Sequence, residues 1–172
     1  TLAAFFGSDK PENVVFTLNT TYALNLAIKS LYTPGAHVLI SNMEHNSVYR
    51  PVWELQARGE ATYGTFNVLH PTDRILAELR AKVTPKTKML VMLHASNLCG
   101  KVFPIREIGS FCRKHGILFI VDAAQSAGII EIDMKRCSID ALCAPAHKGL
   151  YGPQGLGFVI FGDTQPVRTV LE

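Results

Sequence analysis

Seven short runs of apolar and β-branched residues recur along the 172-residue chain, and several are apolar at almost every position. They are "NVVFT" (13–17), "HVLIS" (37–41), "TYGTF" (62–66), "KMLVML" (88–93), "ILFIVDA" (117–123), "IDALCA" (139–144) and "LGFVIF" (156–161). A strand with one wet face alternates between apolar and polar residues. A strand that is apolar throughout is covered on both faces, as in a parallel sheet with helices on each side. Helix-forming stretches lie between the runs, at 21–31, 46–58, 72–82 and 105–115. Thr72 and Asp73 open the third, while Gly59 and Gly116 stand where the second and fourth should stop. Alternating strands and helices imply a doubly wound α/β sheet. With no internal repeat, low-complexity tract or linker, the chain reads as one domain with a sizeable core.

Charge narrows the function classes. The formal net charge is +3, and the basic clusters "KVTPKTK" and "CRKHG" read as solvated helix ends and loops. No basic stripe with interleaved aromatics marks a nucleic-acid partner. No apolar run is long enough to span a bilayer, and "TLAAFFGSDKPEN" lacks the basic-then-apolar order of a signal peptide. Cys99, Cys112, Cys137 and Cys143 include no pair with the spacing of a zinc or redox motif. They read as reduced thiols in a cytoplasmic setting, and no metal site is expected.

In open α/β sheets, ligands bind outside the carboxyl ends of the strands, so the polar residues there matter most. Thr20 and Thr21 follow the first run and open a helix, where backbone amides and the helix dipole favour an anion. Taken alone, ordinary capping is the plainer reading of the two hydroxyls. His45 follows the second run and could stack on a planar ring or cap the next helix. Asn97, in a glycine-containing loop, could bond a ligand hydroxyl or simply form a turn. Asp122 closes five apolar residues, so its carboxylate should be partly buried and in need of a cationic partner, with Gln125 nearby. His147 and Lys148 fall in "APAHKGLYGPQGLGF", where the backbone is all turns. A lysine in an enclosed site can act as a nucleophile toward carbonyls; a solvated loop lysine is the plain alternative. Taken together, the set offers an anion seat, a stacking ring, amide donors, an acid for a pyridinium and an amine for an aldehyde. That inventory fits pyridoxal 5'-phosphate (PLP).

The chain resembles the PLP-dependent fold-type I enzymes, specifically the class V aminotransferase and cysteine desulfurase family. "TLNTTYALN" resembles the family's phosphate-loop segment, "MEHNS" its Glu-His segment and "LHASNLCGKVFPI" its His-Ser-Asn segment. "VDAAQSAG" resembles its Asp-Ala-Gln segment and "AHKGLYGPQGLGF" its lysine signature. The segments follow one another in order over nearly the whole chain. The resemblance implies an α/β, three-layer αβα fold around a mostly parallel seven-stranded sheet with one antiparallel strand. It assigns Lys148 the internal Schiff base and proton transfer, Asp122 the pyridinium nitrogen, and His45 the ring face. Asn97 and Gln125 would bond the ring hydroxyl, and Thr20, Thr21 and His147 the phosphate.

Three positions depart from the family's pattern. Pro145 stands where a serine is usual, which removes a hydroxyl from the phosphate. Asn19 replaces a usual glycine and Tyr22 a usual glutamate; Asn tolerates a left-handed backbone, so the turn is expected to survive.

Members of this family are longer. The resemblance therefore implies that residues 1–172 are the PLP-binding large domain of a protein with further N-terminal and C-terminal parts, inactive alone. A small C-terminal domain would supply the arginine that grips the substrate carboxylate and, in desulfurases, the nucleophilic cysteine. A homodimer partner would complete the phosphate site. The implied reaction converts L-cysteine to L-alanine, with sulfur passed to an enzyme cysteine as persulfide and on to a sulfur-acceptor protein. Cys99, near Asn97, is not expected to be that nucleophile. Aminotransferase, epimerase or kynureninase-like lyase activity on a small amino-acid substrate is the alternative. A truncated, non-catalytic PLP-fold module is another. A dinucleotide-binding domain is disfavoured, since "LNTTYALN" contains no glycine.

Overall fold

Residues 1–162 are described in the computed structural model, and they build one seven-stranded sheet between two layers of helices. The strands are β1 (Val14–Thr17), β2 (His37–Ser41), β3 (Thr62–Phe66), β4 (Thr87–Leu93), β5 (Leu118–Asp122), β6 (Ala141–Pro145) and β7 (Gly157–Phe161). The helices are α1 (Leu2–Phe5), α2 (Thr20–Leu31), α3 (Asn46–Ala57), α4 (Thr72–Lys82) and α5 (Ile105–His115). A 3₁₀ turn at Pro11–Asn13 and the short α1 were not expected from periodicity, since neither is long enough to show one. The region expected to form one domain over 1–172 runs past the described residues, and 163–172 lie outside them.

The sheet order is β1-β7-β6-β5-β4-β2-β3. Strand β7 is antiparallel to both β1 and β6, and the other pairs are parallel, so one strand runs against the rest. The chain moves outward from β2 to β3, then returns to β4 and continues through β5 and β6 in the opposite direction. Strands β2 and β4 are neighbours at that reversal, so a crevice opens at their carboxyl ends.

Alternate residues of each strand feed two cores. Leu39, Leu90, Met92, Phe119, Val121, Leu142 and Ile160 pack with Ile75 and Leu79 of α4 and Ile105 and Ile108 of α5. Val38, Ile40, Met89, Val91, Ile120, Cys143 and Val159 pack with Leu24, Ala27 and Ile28 of α2 and Val48 and Val52 of α3. Covering both faces is why β4 to β7 read as unbroken apolar runs. Each fully buried Ile, Leu or Phe contributes about 1.5–3 kcal/mol against leaving it exposed. The edge strands β1 and β3 are less covered; β3 is correspondingly more polar, while β1 leaves Val15 and Phe16 exposed.

Local chemistry sets the ends. Helix α5 stops at Gly116, which is left-handed at φ 63°, and the amide of Gly116 bonds Arg113 O. Two expected boundaries are corrected. Ile139 and Asp140 lie before β6, in a turn where Asp140 Oδ2 accepts the Phe119 amide. Ala123 lies beyond β5, which ends at Asp122 because the chain there turns to let Oδ1 accept the Ala124 amide at 2.9 Å.

Candidate active site

The carboxyl ends of β2, β4, β5 and β6 and the first turn of α2 enclose one cleft of about 180 Å³. Thr20, Thr21, His45, Asn97, Asp122, Gln125, His147 and Lys148 all line it, as does Ser47. Residues separated by more than a hundred positions meet because they lie at the carboxyl ends of strands that run parallel in one sheet.

At one side, α2 opens on Asn19, whose Oδ1 accepts the Tyr22 amide at 3.0 Å. The expected left-handed Asn19 is corrected: its φ is −172°, ordinary extended backbone that any residue adopts. The first amides of a helix have no intrahelical partner, so those of Thr20 and Thr21 stay available to an anion. This end is pinned from behind by Gly157. A Cβ there would lie 2.5 Å from the backbone carbon of Asn19, so only glycine lets β7 pass so close.

His45 caps α3, and its ring is fixed on one edge. Nδ1 accepts the Ser47 amide at 3.1 Å and lies 2.7 Å from Ser47 Oγ. With Nδ1 engaged by Ser47, the ring presents Nε2 as its free edge. Capping and ring presentation, which the sequence leaves as alternatives, are here the same arrangement. Ser47 was missed in the sequence; its position two residues after His45 was the signal.

Asp122 is the buried charge of the cleft, at 5% exposure. Burial pushes its carboxyl above the usual range, and the Ala124 amide, Lys148 and His45 pull it back. A cation placed before it would complete that compensation. Asn97 and Gln125 are exposed, and their side-chain amides have no hydrogen-bond partner among the described residues. Both are therefore available to a ligand.

Lys148 and His147 are exposed, so the enclosed lysine considered from the sequence is corrected: in this chain the cleft is open on the lysine side. The lysine loop is nonetheless held firmly. The Tyr151 amide bonds Lys148 O at 2.9 Å, with Tyr151 left-handed at φ 54°. A Cβ on Gly149 would lie 2.5 Å from Ala127 O, so the loop rests backbone against backbone on the segment after Asp122. Pro145 ends β6 at the cleft wall and offers no hydroxyl there.

None of the four cysteines lines the cleft. Cys112 and Cys143 are buried, and burial pushes both thiols up. Cys137 is half-buried and also raised by burial. Cys99 is exposed on the loop after β4, and a hydrogen bond with Ser96 lowers its thiol. Among the described residues no cluster of His, Cys, Asp or Glu is placed to hold a metal ion, and no helix is long and apolar enough to cross a membrane.

A doubly wound α/β domain with a lysine, a buried acid and an anion seat at its strand ends is the framework of a small-molecule site at a topological switch point. The family follows from comparison with known proteins. The "Aminotransferase class-V" family model matches residues 1–169, and the chain belongs to that family. It is 36% identical over 162 residues to the cysteine desulfurase IscS of Dechloromonas aromatica, covering 91% of this chain and 39% of that protein. It is 38% identical over 161 residues to the IscS of Actinobacillus succinogenes, covering 91% and 39%. Among solved structures, the apo cysteine desulfurase of Thermococcus onnurineus NA1 superposes with a TM-score of 0.84 at 30% identity, covering 94% of this chain and 41% of that one. A C-DES mutant with glycine covalently linked to its PLP cofactor gives 0.84 at 28% identity, covering 94% and 44%. The chain thus spans about two fifths of the length of the curated relatives it matches.

Proposed function

We propose that this chain is the PLP-binding large domain, residues 1–172, of a cysteine desulfurase. The observation that carries the reading is the meeting of Lys148, Asp122 and the α2 amides in one cleft. The similarity to cysteine desulfurases supports it.

The residues present suit the cofactor. The α2 amides, Thr20, Thr21 and His147 would hold the phosphate. Asp122, raised by burial, would keep a proton on the ring nitrogen. The His45 ring would stack on the cofactor ring, and the free amides of Asn97 and Gln125 would take the ring hydroxyl. Lys148 Nζ would hold the aldehyde carbon and would carry the proton removed from the substrate α-carbon. When bound, PLP supplies an electron sink for the substrate's α-carbon.

The overall reaction is L-cysteine plus an enzyme thiol giving L-alanine plus an enzyme persulfide. The acceptor thiol comes from outside this sequence, in keeping with the absence of all four cysteines from the cleft lining. We propose a homodimer, in keeping with exposed Phe16, Leu18 and Tyr22 around the α2 end. A sulfur-acceptor protein receives the persulfide sulfur. Four free thiols are in keeping with a reducing, cytoplasmic setting.

The test supplies the full-length protein with PLP, L-cysteine and dithiothreitol as reductant. The reading expects alanine and sulfide in equal amounts, and a loss of about a hundredfold or more in Asp122→Asn. A keto acid in place of alanine would replace the desulfurase reading with the aminotransferase one.

A further inference from the structure

Glu44 has no role in the cleft described so far, yet it occupies the reversal between β2 and β4. Its carboxyl is buried although the residue as a whole keeps some exposed surface. Oε1 accepts two hydrogen bonds: one from Ser41 Oγ, at the end of β2, and one from the Leu93 amide at 2.9 Å, at the end of β4. Ser41 Oγ in turn accepts the Met43 amide at 3.3 Å. Leu93 is the register partner of Asp122 on β5, and the His94 amide bonds Asp122 O at 2.9 Å. One carboxyl therefore joins two strand ends directly and a third through a single residue. Its second oxygen, Oε2, is buried with no hydrogen-bond partner.

We propose that Glu44 is a positioning residue of the cleft, its carboxyl tying the ends of β2 and β4 together behind Asp122 and leaving Asp122 as the buried anion that meets a bound cation. The proposal rests on the PLP reading of the site. Chemistry supports the division of roles. Two buried carboxylates close together do not both ionise readily; Lys148 and His45 act on Asp122 and, among the described residues, no cation acts on Glu44, so Glu44 is the one that keeps its proton. Asp122 is the titratable group that acts on Glu44. Asp122 itself feels Lys148 and His45, and its charge also raises the Cys143 thiol on β6. Burial, foremost, raises the Glu44 carboxyl to about 8, with Asp122 adding to the rise. Glu44 is then neutral at pH 7, with its proton on Oε2.

The experiment titrates the full-length wild type, Glu44→Ala and Glu44→Gln with PLP, and follows the absorbance of the bound chromophore from pH 6 to pH 10. Glu44→Ala leaves the Ser41 hydroxyl and the Leu93 amide unpaired and should weaken PLP binding about tenfold. Glu44→Gln keeps an acceptor oxygen at Oε1 and should recover most of that loss, which also guards against a variant that merely misfolds. The wild-type absorbance should show an alkaline step near pH 8 that Glu44→Gln lacks. A purely structural glutamate would not produce that difference. Equal affinities and identical alkaline steps in all three chains overturn this inference alone. Failure of the wild type to take up PLP overturns the site reading, and this inference with it.

Discussion

Asp122 and Lys148 face opposite constraints. Asp122 sits at the end of an apolar strand, so solvent cannot stabilise its charge, and the groups that can are one backbone amide and two nearby side chains. Lys148 lies on a turn, exposed, with no direct hydrogen-bond or ion-pair partner among the described residues. The pairing favours a ligand that is cationic at one end and carbonyl-bearing at the other. Much of this was legible in the sequence. Asp122 stood out because a carboxylate rarely closes an apolar strand without a purpose. Glu44 was not legible as a buried group. It lies in the polar stretch "NMEHNS", where nothing in the pattern separates a buried carboxyl from a capping one. Its burial comes from β4, which arrives from about fifty residues further along the chain. The openness of the lysine side was equally invisible, since it depends on what covers the sheet edge and not on the loop's own residues.

At the scale of elements, the site depends on close backbone approaches. Strand β7 passes so near the start of α2 that a methyl group at Gly157 would meet the Asn19 backbone at 2.5 Å. Gly157→Ala should therefore destabilise the fold by about 1–3 kcal/mol. It should also weaken phosphate-dependent PLP binding more than it weakens binding of pyridoxal, because it displaces the helix end that forms the anion seat. A denaturant titration with parallel binding assays checks both. Equal losses for PLP and pyridoxal would separate the α2 end from the phosphate. The strands and main helices were legible within two residues because both faces of the sheet are covered, which stamps unbroken apolar runs on the sequence. The strand order was not, since periodicity carries no information on which neighbour a strand chooses. That one strand runs antiparallel came from the family resemblance, and the structure identifies it as β7.

For the whole molecule, buried titratable groups tie stability to pH. His94 is buried with Nδ1 unpartnered, and burial lowers it from 6.5 to about 4. Between those values only the unfolded chain binds the proton, so this group's contribution is present above 6.5 and is lost as pH falls. Glu44 is raised from 4.5 to about 8, so between those values only the folded chain binds the proton. Its contribution is present below 4.5 and is lost as pH rises toward 8, and Asp122 acts with the same sign. The two opposing slopes, each at most about 1.4 kcal/mol per pH unit, overlap from 4.5 to 6.5, above which Glu44 acts without His94. Urea midpoints of the wild type should thus fall from pH 6.5 to 8, and Glu44→Gln should flatten that fall while steepening the rise below 6.5. Superimposable profiles would remove Glu44 from the account. Every role in the cleft depends on which amine holds the cofactor. The most direct test incubates the full-length protein with PLP, reduces it with borohydride and maps the modified peptide. Fixation is expected at Lys148, lost in Lys148→Ala, with the other lysines unlabelled. Fixation at another lysine, or none in the full-length protein, would contradict that role for Lys148.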